Sequence, residues 1–261
     1  MIQRKILGLG LIVALLSGLA IGPPVIAVEL AEIQERGKLI VGVKDNLRPL
    51  AFYDERGNLQ GLEIDLARKL AEMLLGSPEA VVFHPLTNRD RLEAVIEGRV
   101  DIAIAQVGFT ESRARLVTFS PRYYLDGTAL VTKIPGITKL TDLTGRRVGV
   151  LQDSTTIGIL RSRLPGVQLV GVDSYQAALT LLATGEADAF AADATVLSGW
   201  VQQYPQYRLL PASLSAAALS VVMPKGVQYV DLHRRINQAI ADLYESGWLQ
   251  ARAAHWGLPL N

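Results

Sequence analysis

The sequence contains no cysteine, and this excludes three kinds of site at once. Without thiols there is no disulfide framework, no thiolate metal cluster and no cysteine nucleophile. Histidine is also scarce, since His84, His233 and His255 lie far apart and lack the spacing of a zinc site. We therefore expect no metal and no cofactor, and any catalysis would depend on carboxylates, hydroxyls or lysine.

An excess of charge of one sign is lacking as well. Lys and Arg number 26 and Asp and Glu number 25, so the formal net charge is +1. This balance gives no field that would attract nucleic acid or an anionic membrane, and we expect neither as a partner. The composition, 49% hydrophobic and 20% charged over 261 residues, is that of an ordinary globular protein with enough chain for two lobes.

A long hydrophobic run occurs at the amino terminus. Arg4-Lys5 precede an apolar stretch over Ile6–Ile21, Gly22-Pro23-Pro24 stops it, and Ala27 supplies a small residue for cleavage. This pattern predicts a secretory signal peptide over residues 1–27. A retained membrane anchor is the alternative, but a spanning helix needs about 20 apolar residues and this run is shorter.

The rest of the chain alternates short β-branched runs with amphipathic stretches, which is typical of mostly parallel sheets covered by helices. Lys38–Val43 is a predicted strand, and Leu62–Leu75 is a predicted helix that Gly76 ends. Arg147–Leu151 repeats the character of the first strand, and Leu232–Tyr244 is a predicted amphipathic helix. The fold class is therefore α/β, with one unit present twice.

A short internal sequence repeat, which we call the internal echo, supports this duplication. In both halves an apolar helix ends at a glycine, and an aspartate three residues later enters the next strand; the pairs are Gly98 with Asp101 and Gly185 with Asp188. We predict that the glycines are left-handed helix caps and that the aspartates bond local backbone amides.

Two extended stretches, Gly127–Lys133 and Ala218–Gly226, bracket the second unit and are predicted to cross between lobes. The predicted first lobe comprises residues 28–128 and 224–261, and the predicted second lobe comprises residues 129–223, with hinge strands at its edges. Such an arrangement has a hinge and a cleft. Ligands of open α/β sheets lie beyond the carboxyl ends of the strands, so we expect the site there.

Arg113 is the first candidate site residue. It follows Thr110 at the start of a loop or helix, where a guanidinium can meet a carboxylate with two hydrogen bonds. A surface salt bridge with Glu111 or Asp126 is the alternative.

Candidates in the second unit lie at two strand ends. Ser154 and Thr155 open a helix directly after a buried strand, which places hydroxyls and free amides at a positive helix end, although they could equally be a plain cap. Asp193 is a carboxylate at the exit of an apolar strand, where it needs a cation such as a ligand ammonium, or else caps the next helix.

Residues near the end of the first strand offer contacts for a ligand side chain. Lys44 and Arg48 could meet an acidic side chain, whereas Asp45 could meet a basic one. Gln106, at the exit of a later strand, is a further candidate. The alternative is that Lys44 and Arg48 point to solvent, as most such residues do.

Five segments of the chain have a recognisable character, and in chain order they are Gly37–Val43, Gly61–Ala67, Phe109–Arg113, Phe119–Tyr124 and Leu140–Val150. Together they resemble the family 3 extracellular solute-binding proteins, the amino-acid receptors of ABC importers, and Ala192–Leu197 looks most like the glutamate-type branch.

This resemblance implies a type II periplasmic-binding-protein fold, in which two lobes are joined by a two-strand hinge. It assigns the ligand α-carboxylate to Arg113 and the α-ammonium to Asp193. The residues that would assist Arg113 are Thr110, Gly108 and the amides of Ser154 and Thr155. The aromatic pair that many members place around the ligand side chain corresponds here to Leu47 and Leu62.

The predicted function is binding of a polar amino acid, glutamate-like or glutamine-like by preference, in the periplasm and its delivery to an inner-membrane ABC permease. We expect a monomer that performs no chemistry. One alternative is an enzyme such as a cyclohexadienyl dehydratase-like protein, with Glu63, Asp45 or Lys44 as acid–base groups. A basic-amino-acid receptor and a ligand-sensing domain of a signalling protein are further alternatives.

Overall fold

The computed structural model describes residues 29–152 and 154–259, and the predicted signal peptide over residues 1–27 lies outside them. Nine α-helices are present in the described part: α1 (Leu30–Arg36), α2 (Leu62–Leu75), α3 (Asp90–Ile96), α4 (Glu111–Ala114), α5 (Thr156–Arg163), α6 (Tyr175–Thr184), α7 (Ala194–Gln203), α8 (Val230–Glu245) and α9 (Trp248–His255). Short 3-10 helices cover Leu140–Leu143 and Val227–Tyr229.

The strands of the same part are β1 (Leu39–Val43), β2 (Asn46–Leu47), β3 (Ala51–Tyr53), β4 (Leu59–Gln60), β5 (Val81–Pro85), β6 (Ile102–Ile104), β7 (Thr118–Asp126), β8 (Thr128–Thr132), β9 (Arg147–Leu151), β10 (Gln168–Val172), β11 (Ala189–Asp193), β12 (Arg208–Leu209) and β13 (Ala217–Met223).

Two five-stranded sheets with the same plan form the two lobes. The first sheet has the order β5-β1-β6-β13-β7 and the second has the order β10-β9-β11-β8-β12. In each sheet the first three strands are parallel and the last two join antiparallel. We call each sheet with its helices a lobe. The strands β2, β3 and β4 form a small antiparallel sheet beside the first lobe.

Helices cover both faces of each sheet, so central strands such as β6 and β11 are buried on both sides, whereas the parallel edge strands β5 and β10 are partly exposed. In the first lobe α1, α2, α8 and α9 pack on one face and α3 packs on the other. In the second lobe α6 and α7 cover one face and α5 covers the other. The two-lobed α/β fold predicted from the sequence is confirmed.

Helix α2 shows how closely local signals determine an element. Its bounds, Leu62–Leu75, are those predicted, and Gly76 ends it in the left-handed conformation with φ 82°. Apolar residues recur at helical spacing and face the core, and a residue without Cβ adopts the positive φ at low cost. Pattern and cap together therefore determine the helix.

The internal echo also appears in the hydrogen bonds. Asp101 accepts the backbone N–H of Ile40 at 2.7 Å, and Asp188 accepts that of Arg147 at 2.9 Å. Each aspartate thereby secures the start of a neighbouring strand, β1 or β9, rather than an amide next to it in sequence. Gly98 and Gly185 have φ values of 71° and 76°, as predicted.

Within the described residues the chain passes between the two five-stranded sheets twice, and the two passages approach each other closely at Gly127. The first passage is the link from β7 to β8; an added Cβ at Gly127 would lie 2.0 Å from the carbonyl oxygen of Ser215 in the second. The second was predicted at Ala218–Gly226, but Ala217–Met223 pairs with β7 and β6 in the first sheet, so the change of sheet comes earlier, between β12 and β13. The residue ranges that the sequence predicts for the two lobes stay a prediction.

Candidate functional site

A cavity of about 560 Å³ lies between the lobes, at the carboxyl ends of the parallel strands. Five of the predicted site residues line it: Lys44, Leu47, Arg48, Gln106 and Asp193. The other residues on its wall are Asn46, Asn88, Tyr175, Gln176, Leu179, Val196, Gly199, Trp200, Gln203 and Tyr204. Both lobes contribute to the wall, so the cavity is formed only when the two sheets face one another.

Asp193 is the last residue of β11 and occupies the cap position of α7, yet its side chain makes no capping hydrogen bond. Asp126 from β7 does this work instead, because its Oδ1 accepts the backbone N–H of Thr195 at 3.1 Å and its Oδ2 accepts the Thr195 hydroxyl at 2.6 Å. The carboxylate of Asp193 is therefore left exposed to the cleft.

The two aspartates also influence each other electrostatically. Partial desolvation in the cleft, and then the negative charge of Asp126, raise the pKa of Asp193 to about 6, while the Arg91 guanidinium opposes this rise. Burial likewise raises the pKa of Asp126, and hydrogen bonds from Thr195 and Gly127 oppose that change. An ammonium placed beside Asp193 would lower its pKa and stabilise the ionised form.

Gln106 reaches the same carboxylate from the first lobe. Its backbone has φ 51°, the only positive φ of a non-glycine residue within the described ranges. Its side-chain Nε2 donates to Thr195 Oγ1 at 3.2 Å and to Asp193 Oδ2 at 3.4 Å. The predicted contact residue thus bridges the lobes.

Arg91, Glu63 and Tyr123 hold the backbone at Gln106, and sequence analysis did not identify this set. Arg91 Nη1 donates to the carbonyl oxygens of Ala105 and Gln106 at 2.8 and 2.7 Å. Glu63 Oε1 accepts the Gln106 N–H and the Tyr123 hydroxyl, both at 2.6 Å. A carboxylate on the apolar face of α2 was the only sequence signal for this arrangement.

Burial dominates the electrostatics of this set. Desolvation raises the pKa of the fully buried Glu63, against the opposing hydrogen bonds from Tyr123 and Gln106. Desolvation also lowers the pKa of Arg91; the charge of Arg113 acts in the same direction, and the charges of Glu63 and Asp193 oppose it. Arg91 therefore lies within electrostatic reach of both predicted ligand anchors.

Arg113, Thr110 and Gly108 lie together around the start of α4. Thr110 caps this helix by accepting the Arg113 N–H at 3.3 Å, and Arg113 Nη1 donates to the Gly108 carbonyl oxygen at 2.8 Å. Over residues 29–152 and 154–259 no ion pair to Arg113 is found, so neither Glu111 nor Asp126 neutralises it. The three residues are outside the wall of the 560 Å³ cavity.

Ser154 and Thr155 line a smaller cavity of about 190 Å³ in the second lobe. Asp193 and Tyr175 belong to the walls of both cavities, so the two spaces adjoin at these residues. The Ser154 hydroxyl oxygen is buried and has no hydrogen-bond partner in the described part of the chain. Thr155 occupies the cap position of α5 without a side-chain capping bond. The Ser154 hydroxyl is therefore an unpaired donor beside this cavity, whereas the Ser154 backbone N–H donates to the carbonyl oxygen of Leu151 at 3.4 Å.

Neither of the two cationic candidates, Lys44 and Arg48, is fully exposed to solvent. Lys44 is 8% exposed, lines the cavity and donates to the carbonyl oxygen of Leu86 at 3.3 Å. The Arg48 guanidinium lies 3.7 Å from the centroid of the Phe52 ring. Asp193 is the one acidic residue on the described wall of this cavity. Once a ligand ammonium neutralises it, the remaining charge of the wall is positive.

Two predicted residues lie elsewhere. Leu62 is 1% exposed and packs in the first-lobe core, because as the first residue of α2 it faces the sheet rather than the cleft. Asp45 is half-buried and is not on the cavity wall. Of the two leucines predicted to surround the ligand side chain, Leu47 lines the cavity and Leu62 does not.

Comparison with known proteins gives the family. The sequence model of a family described as "Bacterial extracellular solute-binding proteins, family 3" matches residues 39–259. A glutamine-binding protein of Geobacillus stearothermophilus is 33% identical over 189 residues, which are 71% of this chain and 72% of that protein. A glutamate/aspartate import solute-binding protein of Salmonella typhimurium is 27% identical over 209 residues, covering 75% of this chain and 69% of the relative.

Among solved structures, an ancestral cationic amino acid solute-binding protein superposes with a TM-score of 0.74 at 26% identity, over 87% of this chain and 99% of that one. The solute receptor for L-cysteine of Neisseria gonorrhoeae gives a TM-score of 0.67 at 28% identity, over 87% and 93%. Together with the two-lobed fold and the cleft, these matches show that the chain belongs to family 3 of the bacterial extracellular solute-binding proteins.

Proposed function

We propose that this protein binds one free polar amino acid in the cleft and delivers it to the permease of an ABC importer. The observation that carries the proposal is the freedom of Asp193, since Asp126 takes over the capping of α7. A carboxylate that is not needed to cap a helix and faces a cleft is suited to a ligand ammonium. Arg113, which has one backbone hydrogen bond and no ion pair in the described part, is suited to the ligand carboxylate.

The ligand class follows from the charges on the wall. Lys44 and Arg48 line the cavity, and they favour a ligand side chain that carries a carboxylate or an amide oxygen. A basic side chain would meet two cations there and would find no second carboxylate on the described wall. We therefore favour glutamate or glutamine over arginine or lysine.

Export through a cleavable signal peptide, a periplasmic location and a monomeric state belong to the same proposal. It also includes the absence of catalysis. Glu63, one of the three acid–base candidates of a dehydratase-like enzyme, is fully buried and bonded to Tyr123 and Gln106, and it is not on the cavity wall. A group in this position supports the backbone rather than reaching a substrate.

A thermal-shift panel of the twenty amino acids tests the proposal, with calorimetry on every hit. We expect glutamate or glutamine to raise the melting temperature, because a ligand at about a hundred times its Kd stabilises by about 2.7 kcal/mol. Stabilisation by arginine or lysine alone would instead establish the basic-amino-acid receptor. Turnover of a prephenate-like acid by the purified protein would establish an enzyme.

A further inference from the structure

Gln106 combines a rare backbone conformation with an unusual position for its amide. A left-handed backbone suits glycine or asparagine better than glutamine. Here the conformation is imposed from both sides, because Glu63 accepts the Gln106 N–H and Arg91 donates to its carbonyl oxygen. The result is that the side chain is directed across the cleft to the second lobe.

The hydrogen-bonding groups of Thr195 and Asp193 determine which atom of the Gln106 amide faces the second lobe. The Thr195 hydroxyl donates its only hydrogen to Asp126, so its oxygen can only accept from Gln106. Asp193 is likewise an acceptor when ionised. The NH2 group of Gln106, rather than its carbonyl oxygen, must therefore face both partners, as a ligand ammonium would.

We propose that Gln106 is an internal latch: its amide ties the lobes together in the ligand-free protein and occupies Asp193 until a ligand ammonium replaces it there. This inference rests on the proposed function for the identity of the displacing group. The contact with Asp193 is long, at 3.4 Å, and its donor is neutral. Charge-assisted hydrogen bonds are shorter and stronger, so an ammonium displaces the amide, while the bond to Thr195 can persist.

The latch acts alongside other contacts between the lobes. Gln202 on α7 donates to the carbonyl oxygen of Trp256 at 2.8 Å, and a Cβ added at Gly199 would lie 2.2 Å from the carbonyl oxygen of Arg48. These contacts hold the lobes together without touching Asp193. Gln202 therefore offers a matched control that separates loosening of the lobes from release of the ammonium site.

The first test is the shape of the ligand-free protein. Gln106→Gly and Gln106→Asn both tolerate the left-handed backbone, and neither can carry an amide across the cleft. By small-angle scattering we expect a larger radius of gyration for both variants than for the parent protein, because the ratio of open to closed forms rises about five- to thirtyfold. Gln203→Ala, which changes the same cavity wall, should match the parent. A radius in Gln106→Gly equal to that of the parent overturns the latch.

The second test measures competition for Asp193 by calorimetry with L-glutamate and with glutarate, which lacks the ammonium. The affinity for glutamate relative to glutarate should rise about fivefold or more in Gln106→Gly and stay unchanged in Gln202→Ala. An unchanged ratio in Gln106→Gly overturns the displacement. If the parent protein binds no amino acid at all, the proposed function fails, whereas the scattering result still decides the latch.

Discussion

Asp126 and Asp193 show how two residues of the same type acquire different roles. Asp126 is 3% exposed, and its carboxylate is satisfied by hydrogen bonds from Gly127 and Thr195 within the protein. Asp193 faces the cleft and has one long hydrogen bond, from Gln106. Substitution should therefore affect stability at the first position and binding at the second.

For Asp193→Asn we expect amino-acid binding to weaken strongly while the fold stays intact. Asparagine keeps the volume and an acceptor but removes the charge that compensates an ammonium in a low-dielectric cleft. Calorimetry and the melting temperature of the same variant check this. Binding that survives within a few-fold would mean that Asp193 is not the ammonium site.

Asp126→Ala should have the opposite profile. It removes the cap of α7 and leaves the Thr195 backbone N–H and hydroxyl hydrogen without their acceptor in a buried position, at a cost of about 2 kcal/mol or more. Urea denaturation measures this loss. A variant as stable as the parent would contradict the capping role.

The raised pKa of Asp193 makes ligand affinity depend on pH. Its pKa is about 6 in the free protein, so the carboxylate is mostly ionised above this pH and mostly protonated below it. An ammonium binds the ionised form and lowers this pKa, so affinity is constant well above pH 6 and falls as the pH drops, approaching about tenfold per unit. Calorimetry on both sides of pH 6 should show this in the parent and no such decline in Asp193→Asn. Equal affinities in the parent would refute it.

Arg113→Ala should abolish binding of free amino acids. The change deletes a charge-assisted contact to the ligand carboxylate, a loss of about 3 kcal/mol or more. Arg115→Ala is the control, because this arginine lies two residues further along and its side chain is exposed. Calorimetry that gives Arg113→Ala the affinity of the parent would remove Arg113 from the site.

At the scale of elements, the duplicated unit places equivalent aspartates under equivalent strands. Asp101 is 1% exposed and also forms an ion pair with Arg36, whereas Asp188 lies nearer the surface, 3.7 Å from Arg146. Each accepts a backbone amide near the start of one strand, that of Ile40 in β1 or that of Arg147 in β9. This difference in burial predicts that replacing Asp101 will lower the stability of the protein more than replacing Asp188.

Asp101→Ala should destabilise the protein by about 3 kcal/mol, because it leaves the buried Ile40 amide without its acceptor and the Arg36 guanidinium without its carboxylate. Asp188→Ala should cost about 1 kcal/mol, since solvent can replace part of what is lost. Urea midpoints measure both, and ligand affinity should change little in either variant. Equal costs would contradict this view of the two positions.

At the scale of the whole molecule, the lobes are joined where the chain passes between the sheets. The passages are tied by hydrogen bonds from the Thr128 N–H to Ser215 and from the Leu214 N–H to Thr128. An added Cβ at Gly127 would collide with backbone there. The hinge is therefore a narrow, close-packed pair of passages rather than a loose linker.

Gly127→Ala should destabilise the protein by about 2 kcal/mol, because the methyl group forces the passages apart. Gly158→Ala is the control: Gly158 lies within α5, where an added Cβ would meet no atom within 4 Å apart from the adjacent residues and the backbone of its own helix, and alanine there should stabilise by about 0.5–1 kcal/mol. Melting temperatures should move in opposite directions. A Gly127→Ala variant with the stability of the parent would mean that the passages can separate freely.

Ligand binding should make the molecule more compact. Closure around a ligand is the general behaviour of two lobes on a hinge. Because the latch already holds the ligand-free parent together, compaction on binding should be larger in Gln106→Gly than in the parent. Small-angle scattering of free and saturated protein measures this, and identical radii in both states of both proteins would contradict the hinge.

Sequence alone determined what depends on local pattern. The alternation of strands and helices, the bounds of α2 and its cap at Gly76, and the repeat that carries Asp101 and Asp188 all follow from spacing along the chain. The residues at the strand ends that line the cleft, including Lys44 and Asp193, were also found this way. Periodicity encodes which face of an element is buried, and strand ends mark where ligands lie.

Only the tertiary structure decided which elements face one another, and three roles depended on this. Asp126, rather than Asp193, caps α7, because β7 ends beside that helix. Leu62 lies in the core instead of on the cavity wall. Gln106 contacts Asp193 and Thr195, which are 87 and 89 residues away in sequence. Such contacts arise because the chain passes between the sheets and brings distant strand ends together, and no local pattern encodes that geometry.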